Sequence, residues 1–189
     1  MVGHRAIDGA VGEARGKRLA VAGCGSTPEK RPGGYYKDDG PPDKGVNVAS
    51  IADAVPRVEP LHRYANRPYE ALGRKYVPLT RVGVYKQRGT ASWYGKRFHG
   101  SPTSSGEKYD MYKMSAAHPI LPIPSYARVT NLANGRSVVV RVNDRGPFHG
   151  GRAIDLSYAA AYRLGYIGRG SAPVEIEQIV PGGAPLAQQ

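Results

Sequence analysis

The sequence predicts a mainly β fold, organised as a small closed barrel over residues 89–181 of the 189-residue chain. Three observations support this prediction. Short runs rich in β-branched and aromatic residues are separated by turn residues, a hairpin signal joins two of the runs, and one segment has the capping residues of a helix. The runs that we interpret as strands are 89–94, 125–131, 137–143 and 174–180.

The third run is the clearest strand. Four of the five residues 138–142 are valines, and this density of β-branched side chains predicts a strand packed on both faces. Asn134-Gly135 stands between the second and third runs. This dipeptide favours a tight hairpin, because both residues tolerate positive φ.

One short helix is expected after the third strand. The Ser157 side chain can cap its first turn, residues 158–164 supply alanines, aromatics and a leucine, and Gly165 ends it. Residues 108–118 predict a second short helix or a turn, centred on 115–117.

Residues 1–24 form a candidate lipoprotein signal, because they end in V-A-G-C, which looks like a bacterial lipobox. In such signals the cysteine, here Cys24, becomes lipidated after cleavage. Only five apolar or small residues separate Arg18 from Cys24, whereas a secretory signal has about 7–15. An accidental match is therefore the alternative.

The segments that flank the barrel have compositions of their own. Residues 25–47 are rich in Gly, Pro, Lys and Asp, which predicts a flexible tether. Four prolines punctuate residues 48–88, which predicts an extended arm that partly wraps the barrel, with the first strand starting within 82–85. Residues 182–189 are expected to be a disordered tail.

The charge balance favours an anionic partner, since the formal net charge is +12. The sequence has no helix-turn-helix, zinc-finger or RNA-recognition pattern, so a solvated basic surface is the simpler reading and we expect no nucleic acid partner. One cysteine excludes an internal disulfide, and no Cys/His cluster has zinc-ligand spacing. We expect neither a metal nor another cofactor.

The end of the third strand offers a candidate acid. The apolar run stops at Asn143-Asp144, and Gly146-Pro147 prevents the strand from continuing, so a rigid edge presents one carboxylate. Asp144 can transfer a proton to a ligand, or it can accept backbone N–H groups and simply close the turn. Arg145 beside it can bind an anionic ligand or support the same turn. From residue types alone, the turn role is favoured.

Other candidate residues carry the same two interpretations. Glu107 is by default a solvated surface residue, and a lone histidine such as His118 is more often structural. The rings of Trp93, Tyr94 and Tyr112 suit the C–H faces of sugars. Core packing is the alternative, because Trp93 and Tyr94 are adjacent in a strand and point to opposite sides, so at least one should pack inward.

Five linked motifs resemble those of the rare lipoprotein A (RlpA) family. They occur in the family's order, cover about half the chain, and read G-T-A-S-W-Y-G-K-R-F-H-G (89–100), T-S-S-G-E-K-Y-D-M (103–111), S-A-A-H (115–118), V-R-V-N-D-R-G-P-F (140–148) and A-I-D-L-S-Y-A-A-A (153–161). The upstream segments 33–41 and 62–69 also look like proteobacterial members of that family.

The resemblance implies a six-stranded double-psi β-barrel, similar to that of expansins. Family members are lytic transglycosylases that act on peptidoglycan and prefer glycan strands stripped of stem peptides. Many carry a C-terminal SPOR domain, which we expect this chain to lack. The implied protein is a monomeric periplasmic lipoprotein, anchored to the membrane through Cys24. A non-catalytic, expansin-like wall-binding module is the alternative.

The resemblance also assigns roles to particular residues. Asp144 falls on the catalytic acid/base, Glu107 on a second carboxylate of the groove, and His118 on a required histidine that bonds to substrate or orients a carboxylate. We expect substrate contacts from Trp93, Tyr94, Tyr112 and Arg145.

Overall fold

The computed structural model describes residues 39–43 and 47–182. Short 3-10 turns lie at Val48–Ser50 and Ile167–Arg169. One α-helix, α1, spans Tyr158–Leu164. The strands of this part of the chain are β1 (Tyr69–Ala71), β2 (Arg74–Tyr76), β3 (Lys86–Tyr94), β4 (Ser115–Ala117), β5 (Ser125–Asn131), β6 (Ser137–Asp144), β7 (Arg152–Ser157) and β8 (Ala172–Ile179).

Six of these strands close into a barrel in the order β3-β7-β4-β6-β5-β8. The β3–β7 and β4–β6 pairs are parallel, and the other pairs are antiparallel. Closure leaves no unpaired sheet edge, which lets a domain of this size bury its core. The predicted six-stranded double-psi barrel is confirmed.

Two local predictions are confirmed in detail. Strands β5 and β6 form the hairpin that Asn134-Gly135 predicts, with Gly135 at φ 72°. The hydroxyl of Ser157 caps α1 by accepting a hydrogen bond from the Ala160 backbone N–H at 3.2 Å, and Gly165 ends the helix in the left-handed region.

The valines of β6 alternate in burial, whereas their density predicted a strand packed on both faces. Val138, Val140 and Val142 are at most 2% exposed and fill the barrel, while Val139 on the outer face is only half-buried. Part of the arm lies on this outer face, where the Ala54 N–H donates to the Val139 carbonyl at 3.0 Å. The strand is therefore fully packed on one face and partly covered on the other.

Two elements differ from the sequence prediction. Residues Ser115–Ala117 form strand β4 rather than a helix or turn, because these small side chains fit between β6 and β7, where all three are buried. Within the arm, β1 and β2 form a hairpin that turns through Leu72 and Gly73, both at positive φ. The first barrel strand begins at Lys86, just beyond 82–85.

The arm is fixed to the barrel by backbone hydrogen bonds. His62 N–H donates to the Ile123 carbonyl and Leu79 N–H to the Ile120 carbonyl, both at 2.8 Å. Part of the predicted tether is also docked, since the Asp39 carboxylate accepts the Gly95 N–H at 2.8 Å. The candidate signal, Cys24 and residues 183–189 lie outside the described residues.

Candidate active site

The loop between β3 and β4, residues 95–114, is called here the polar loop. It folds back onto the end of β6 and brings two distant segments of the sequence together. The Ser105 N–H donates to the Asn143 carbonyl at 3.2 Å. The Ser104 N–H and hydroxyl both donate to Asp144 Oδ1, at 2.8 and 2.7 Å. The loop that carries Glu107 is thus held against the strand that carries Asp144.

The two oxygens of Asp144 have different surroundings. Oδ1 accepts a third hydrogen bond, from the Arg145 N–H at 2.8 Å, in addition to the two from Ser104. Within the described part of the chain, Oδ2 accepts none. The half-buried carboxylate is therefore fixed in orientation by one oxygen, while the other remains available to a ligand.

Glu107 lies at the same end of the barrel and is partly solvated, with 45% of its side chain exposed. Its Oε2 accepts hydrogen bonds from Arg141 Nη1 at 2.8 Å and from Asn143 Nδ2 at 3.0 Å. Because Asn143 directly precedes Asp144, the same strand end supports both carboxylates. The structure thus brings both predicted acids to one strand end, and their roles stay predictions.

Arg141 links Glu107 to the arm. Its Nε and Nη2 donate to the two carboxylate oxygens of Glu59, both at 2.9 Å, while Nη1 serves Glu107. The Tyr126 hydroxyl also donates to Glu59. Hydrogen bonds from Arg141 lower the pKa of Glu59 to about 2, against the opposing effect of burial. Sequence reasoning missed Glu59, because nothing local marks a partner 82 residues away.

His118 is fully buried, at 0% exposed, and both of its ring nitrogens are engaged. Nδ1 accepts the N–H groups of Ile120 and Leu121 at 3.2 and 2.9 Å, so the ring proton lies on Nε2, which faces Gln87 Oε1 at 3.3 Å. Burial, aided by the positive charge of Arg145, lowers the pKa of His118 to about 3.

The imidazole is thus neutral, and its hydrogen bonds go to Gln87, Ile120 and Leu121 rather than to Asp144 or Glu107. Its backbone does reach the site, since the His118 N–H donates to the Asp144 carbonyl at 3.1 Å. A direct hydrogen bond from the ring to substrate does not fit this buried placement. The ring instead fixes the backbone at residues 120 and 121, and His118 contacts Asp144 through its own backbone N–H, so its expected role in orienting Asp144 stays a prediction.

Arg145 is used internally. Its Nη1 donates to the carbonyls of His118 and Leu121 at 3.0 and 2.5 Å, and its Nε to the Ala65 carbonyl at 3.0 Å. Nη2 donates to Asn66 Oδ1 at 2.9 Å, and burial lowers the pKa of Arg145 to about 10. Its guanidinium therefore supports the turn and the arm through four of its five N–H groups, and within the described residues one N–H on Nη2 has no acceptor.

The two adjacent aromatics of β3 are both in the core, which corrects the expectation that they stack on sugars. Trp93 is 1% exposed and packs edge-on against Tyr158 of α1 at 5.7 Å. Tyr94 is 9% exposed and stacks on Tyr109 of the polar loop at 4.1 Å. They point to opposite sides of β3, but the helix covers one side and the loop covers the other.

Tyr112, in contrast, lies in a groove. It is half-buried in the wall of this groove, which has a volume of about 580 Å³. The groove also contains Glu107 and Asn143, and the arm forms its opposite wall with Ala54 and Glu59. Its lining includes Asn143, the residue before Asp144, but not Asp144 itself.

A second aromatic group includes Phe148, which follows the Asp144 turn. The rings of Tyr69 and Tyr76 stack at 5.1 Å with an interplanar angle of 13°, and Phe148 packs against them at 5.9 and 5.7 Å. The Tyr69 hydroxyl donates to the Pro119 carbonyl at 2.9 Å. The sequence patterns assigned none of these rings to a binding role.

Two further properties describe this part of the chain. No group of three or more His, Cys, Asp or Glu side chains within residues 39–43 and 47–182 has a geometry that holds a metal ion. None of the helices in the same ranges combines the length and apolar character that crossing a bilayer requires.

Comparison with known proteins identifies close relatives. The profile of a family described as lytic transglycolase matches residues 86–176. The endolytic peptidoglycan transglycosylase RlpA of Neisseria meningitidis serogroup A is 61% identical over 138 residues, 72% of this chain and 58% of that protein. The protein of the same name from Vibrio cholerae is 53% identical over 163 residues, 85% of this chain and 60% of that protein. The chain thus spans about three fifths of the length of these relatives.

Solved structures with similar folds are more distant. The Streptomyces papain inhibitor aligns with 52% of this chain and 97% of its own, at 23% identity and a TM-score of 0.43. An expansin of Clavibacter michiganensis aligns with 53% of this chain and 54% of its own, at 20% identity and a TM-score of 0.39.

Proposed function

We propose that this chain is a member of the RlpA family and an endolytic lytic transglycosylase of peptidoglycan, with Asp144 as its acid/base. One observation carries the proposal. The polar loop and the end of β6, 40 residues apart in sequence, converge on a carboxylate that is oriented through one oxygen only. A residue that merely closed a turn would need only local backbone donors.

The proposed reaction needs a single proton carrier. Asp144 protonates the glycosidic oxygen between muramic acid and N-acetylglucosamine, and the C1–O bond breaks as positive charge develops at C1. The C6 hydroxyl of the same muramic residue then attacks C1, and its proton returns to Asp144. The product carries a 1,6-anhydro ring, no water is consumed, and the carboxyl group ends in its starting state.

The neighbouring residues take supporting roles. Glu107, partly solvated and fixed by Arg141 and Asn143, is placed to orient the C6 hydroxyl or to stabilise positive charge at C1. His118 and Arg145 act as positioning residues, since the His118 N–H donates to the Asp144 carbonyl and the Arg145 guanidinium donates to the His118 carbonyl. Tyr112 and the groove beside it would hold the glycan strand.

The proposal includes a location in the bacterial cell envelope, because the substrate is the cell wall. Lipidation of Cys24 would attach the protein to a membrane, with the tether spanning the distance to the glycan. Metabolic labelling with palmitate tests this part separately. We expect a labelled wild type and an unlabelled Cys24→Ser variant, and an unlabelled wild type would contradict the anchor.

One observation favours the wall-binding alternative. Asp144 Oδ1 also accepts the N–H of the next residue, as an aspartate that closes a turn does. Cleavage and wall binding are distinguished by incubating the purified protein with stripped glycan strands and analysing the products by mass spectrometry. Cleavage predicts anhydro-muramyl ends that disappear in Asp144→Asn, whereas a binding module predicts intact strands and glycan retention that is the same in both proteins.

A further inference from the structure

The β1–β2 hairpin presents one aromatic face towards the barrel. Tyr69 pairs with Tyr76 across the hairpin, and both rings contact Phe148, which follows β6. All three residues are half-buried, so none of them is completely enclosed by the protein. The hairpin lies outside residues 86–176, the part of the chain that matches the lytic transglycolase family.

This face lies close to Asp144. The Tyr69 hydroxyl bonds to the Pro119 carbonyl, and the preceding residue, His118, bonds through its N–H to the Asp144 carbonyl. Burial raises the pKa of Tyr69 to about 12, with Arg145 opposing the shift and the charge of Asp144 adding to it. The phenol is therefore within electrostatic reach of the Asp144 carboxylate.

A cation shares the face with the rings. The pairs Tyr69–Tyr76 and Ala71–Arg74 alternate with Glu70–Lys75, so Arg74 is on the aromatic side of β2 and Lys75 is on the other side. Arg74 is exposed and stands about 7 Å along the strand from Tyr76. Over residues 57–81 the arm carries six Lys or Arg against two Glu.

We propose that this face, defined by Tyr69, Arg74, Tyr76 and Phe148 and called here the hairpin subsite, binds a muramic acid unit of the glycan strand next to the cleavage point. Tyr76 packs against the pyranose ring, and Arg74 pairs with the lactyl carboxylate. The inference rests on the proposed function, since it assumes that a glycan strand passes Asp144.

The chemistry of the ligand matches this face at two points. Pyranose rings present C–H patches that favour aromatic surfaces. A muramic residue without its stem peptide carries a free carboxylate, and a guanidinium binds a carboxylate through two parallel hydrogen bonds. A strand that still carries peptides has an amide there instead, so the hairpin subsite would favour stripped strands.

Binding to the full chain carrying Asp144→Asn tests the subsite without cleavage. Two probes are compared: stripped glycan strands, and chitohexaose, which has the same β-1,4 linkage and N-acetyl groups but no lactyl carboxylate. The matched variants are Arg74→Gln and Lys75→Gln, which remove the same charge from opposite faces of one strand. Tyr76→Leu removes the ring, and Tyr76→Phe retains it.

We expect Arg74→Gln to weaken binding of stripped strands about tenfold and to change chitohexaose binding by less than about twofold. Lys75→Gln should change either affinity by less than about twofold. Tyr76→Leu should weaken both probes about tenfold, and Tyr76→Phe should restore them.

Two results would overturn the subsite. One is an equal loss of glycan affinity in Arg74→Gln and Lys75→Gln, which would indicate diffuse charge attraction. The other is unchanged affinity in a folded Tyr76→Leu protein. If Tyr76→Leu does not fold, the comparison of Arg74 with Lys75 still decides, since both are exposed.

The product assay of the wild type separates failure of the subsite from failure of the proposed function. Intact strands together with Arg74-dependent binding would exclude cleavage and keep the subsite. If the wild type yields anhydro ends and glycan affinity is unchanged by Arg74→Gln and Tyr76→Leu, the proposed cleavage stands and the hairpin subsite is excluded.

Discussion

His118 should make the stability of the protein depend on pH in a defined window. The unfolded chain binds a proton at this residue below its ordinary pKa of 6.5, whereas the buried ring resists protonation until about pH 3. Its contribution to stability is therefore complete above pH 6.5 and is lost progressively as the pH falls towards 3. Between pH 7 and pH 5 this one residue should lower the free energy of unfolding by about 2 kcal/mol.

The matched variant is His118→Asn, because a side-chain amide oxygen can replace Nδ1 as acceptor for the two backbone N–H groups. Its overall stability should fall through lost packing, but its pH dependence should lack the histidine contribution. Urea titrations of both proteins at pH 7 and pH 5 measure the difference directly. Other titrating groups are common to both proteins and cancel.

Equal pH dependence in the two proteins would refute this reasoning. So would an NMR titration in which the His118 ring protonates near pH 6.5 in the folded state. Either result would mean that the imidazole is accessible, and its assignment as a neutral positioning residue would have to be replaced by direct participation in proton transfer.

Three other substitutions test the neighbouring contacts. Glu59→Gln should lower the free energy of unfolding at pH 7 by roughly 1–2 kcal/mol in urea titrations, and this difference should shrink as the pH falls from about 4.5 towards 2. Gly95→Ala should destabilise by about 1–3 kcal/mol in thermal unfolding, because its new methyl carbon would lie 2.1 Å from the Gly40 carbonyl oxygen. Ser104→Ala should lower the rate of glycan cleavage by roughly tenfold or more, because Asp144 loses a hydroxyl donor; an unchanged rate would contradict the positioning role.

The sequence predicted those parts of the fold that depend on local chemistry. Ser157 and Gly165 bound the helix as expected, and Asn134-Gly135 makes the expected hairpin. Residues 115–117 gave no such signal, because serine and alanine fit a helix, a turn or a buried strand equally well. Their state is decided by pairing with β6 and β7, which no local pattern shows.

The candidate site divides in the same way. Asp144 was identified by the end of a buried strand and by the family motifs, and Glu107 by the motifs. Glu59, Tyr69 and Tyr76 were not identified, since their importance comes from contacts with segments far away in sequence. Trp93 and Tyr94 could stack on sugars only if their rings were exposed to solvent. Tyr158 of the helix covers one ring and Tyr109 of the polar loop covers the other.

Mass spectrometry of the products from stripped glycan strands, for the wild type and for Asp144→Asn, tests the role of Asp144 most directly. If Asp144 is the acid/base, the wild type yields strands ending in 1,6-anhydro-muramic acid and the variant yields none above background. Intact strands from the wild type, or anhydro ends at an equal rate from both proteins, would contradict the assignment of Asp144 as the acid/base.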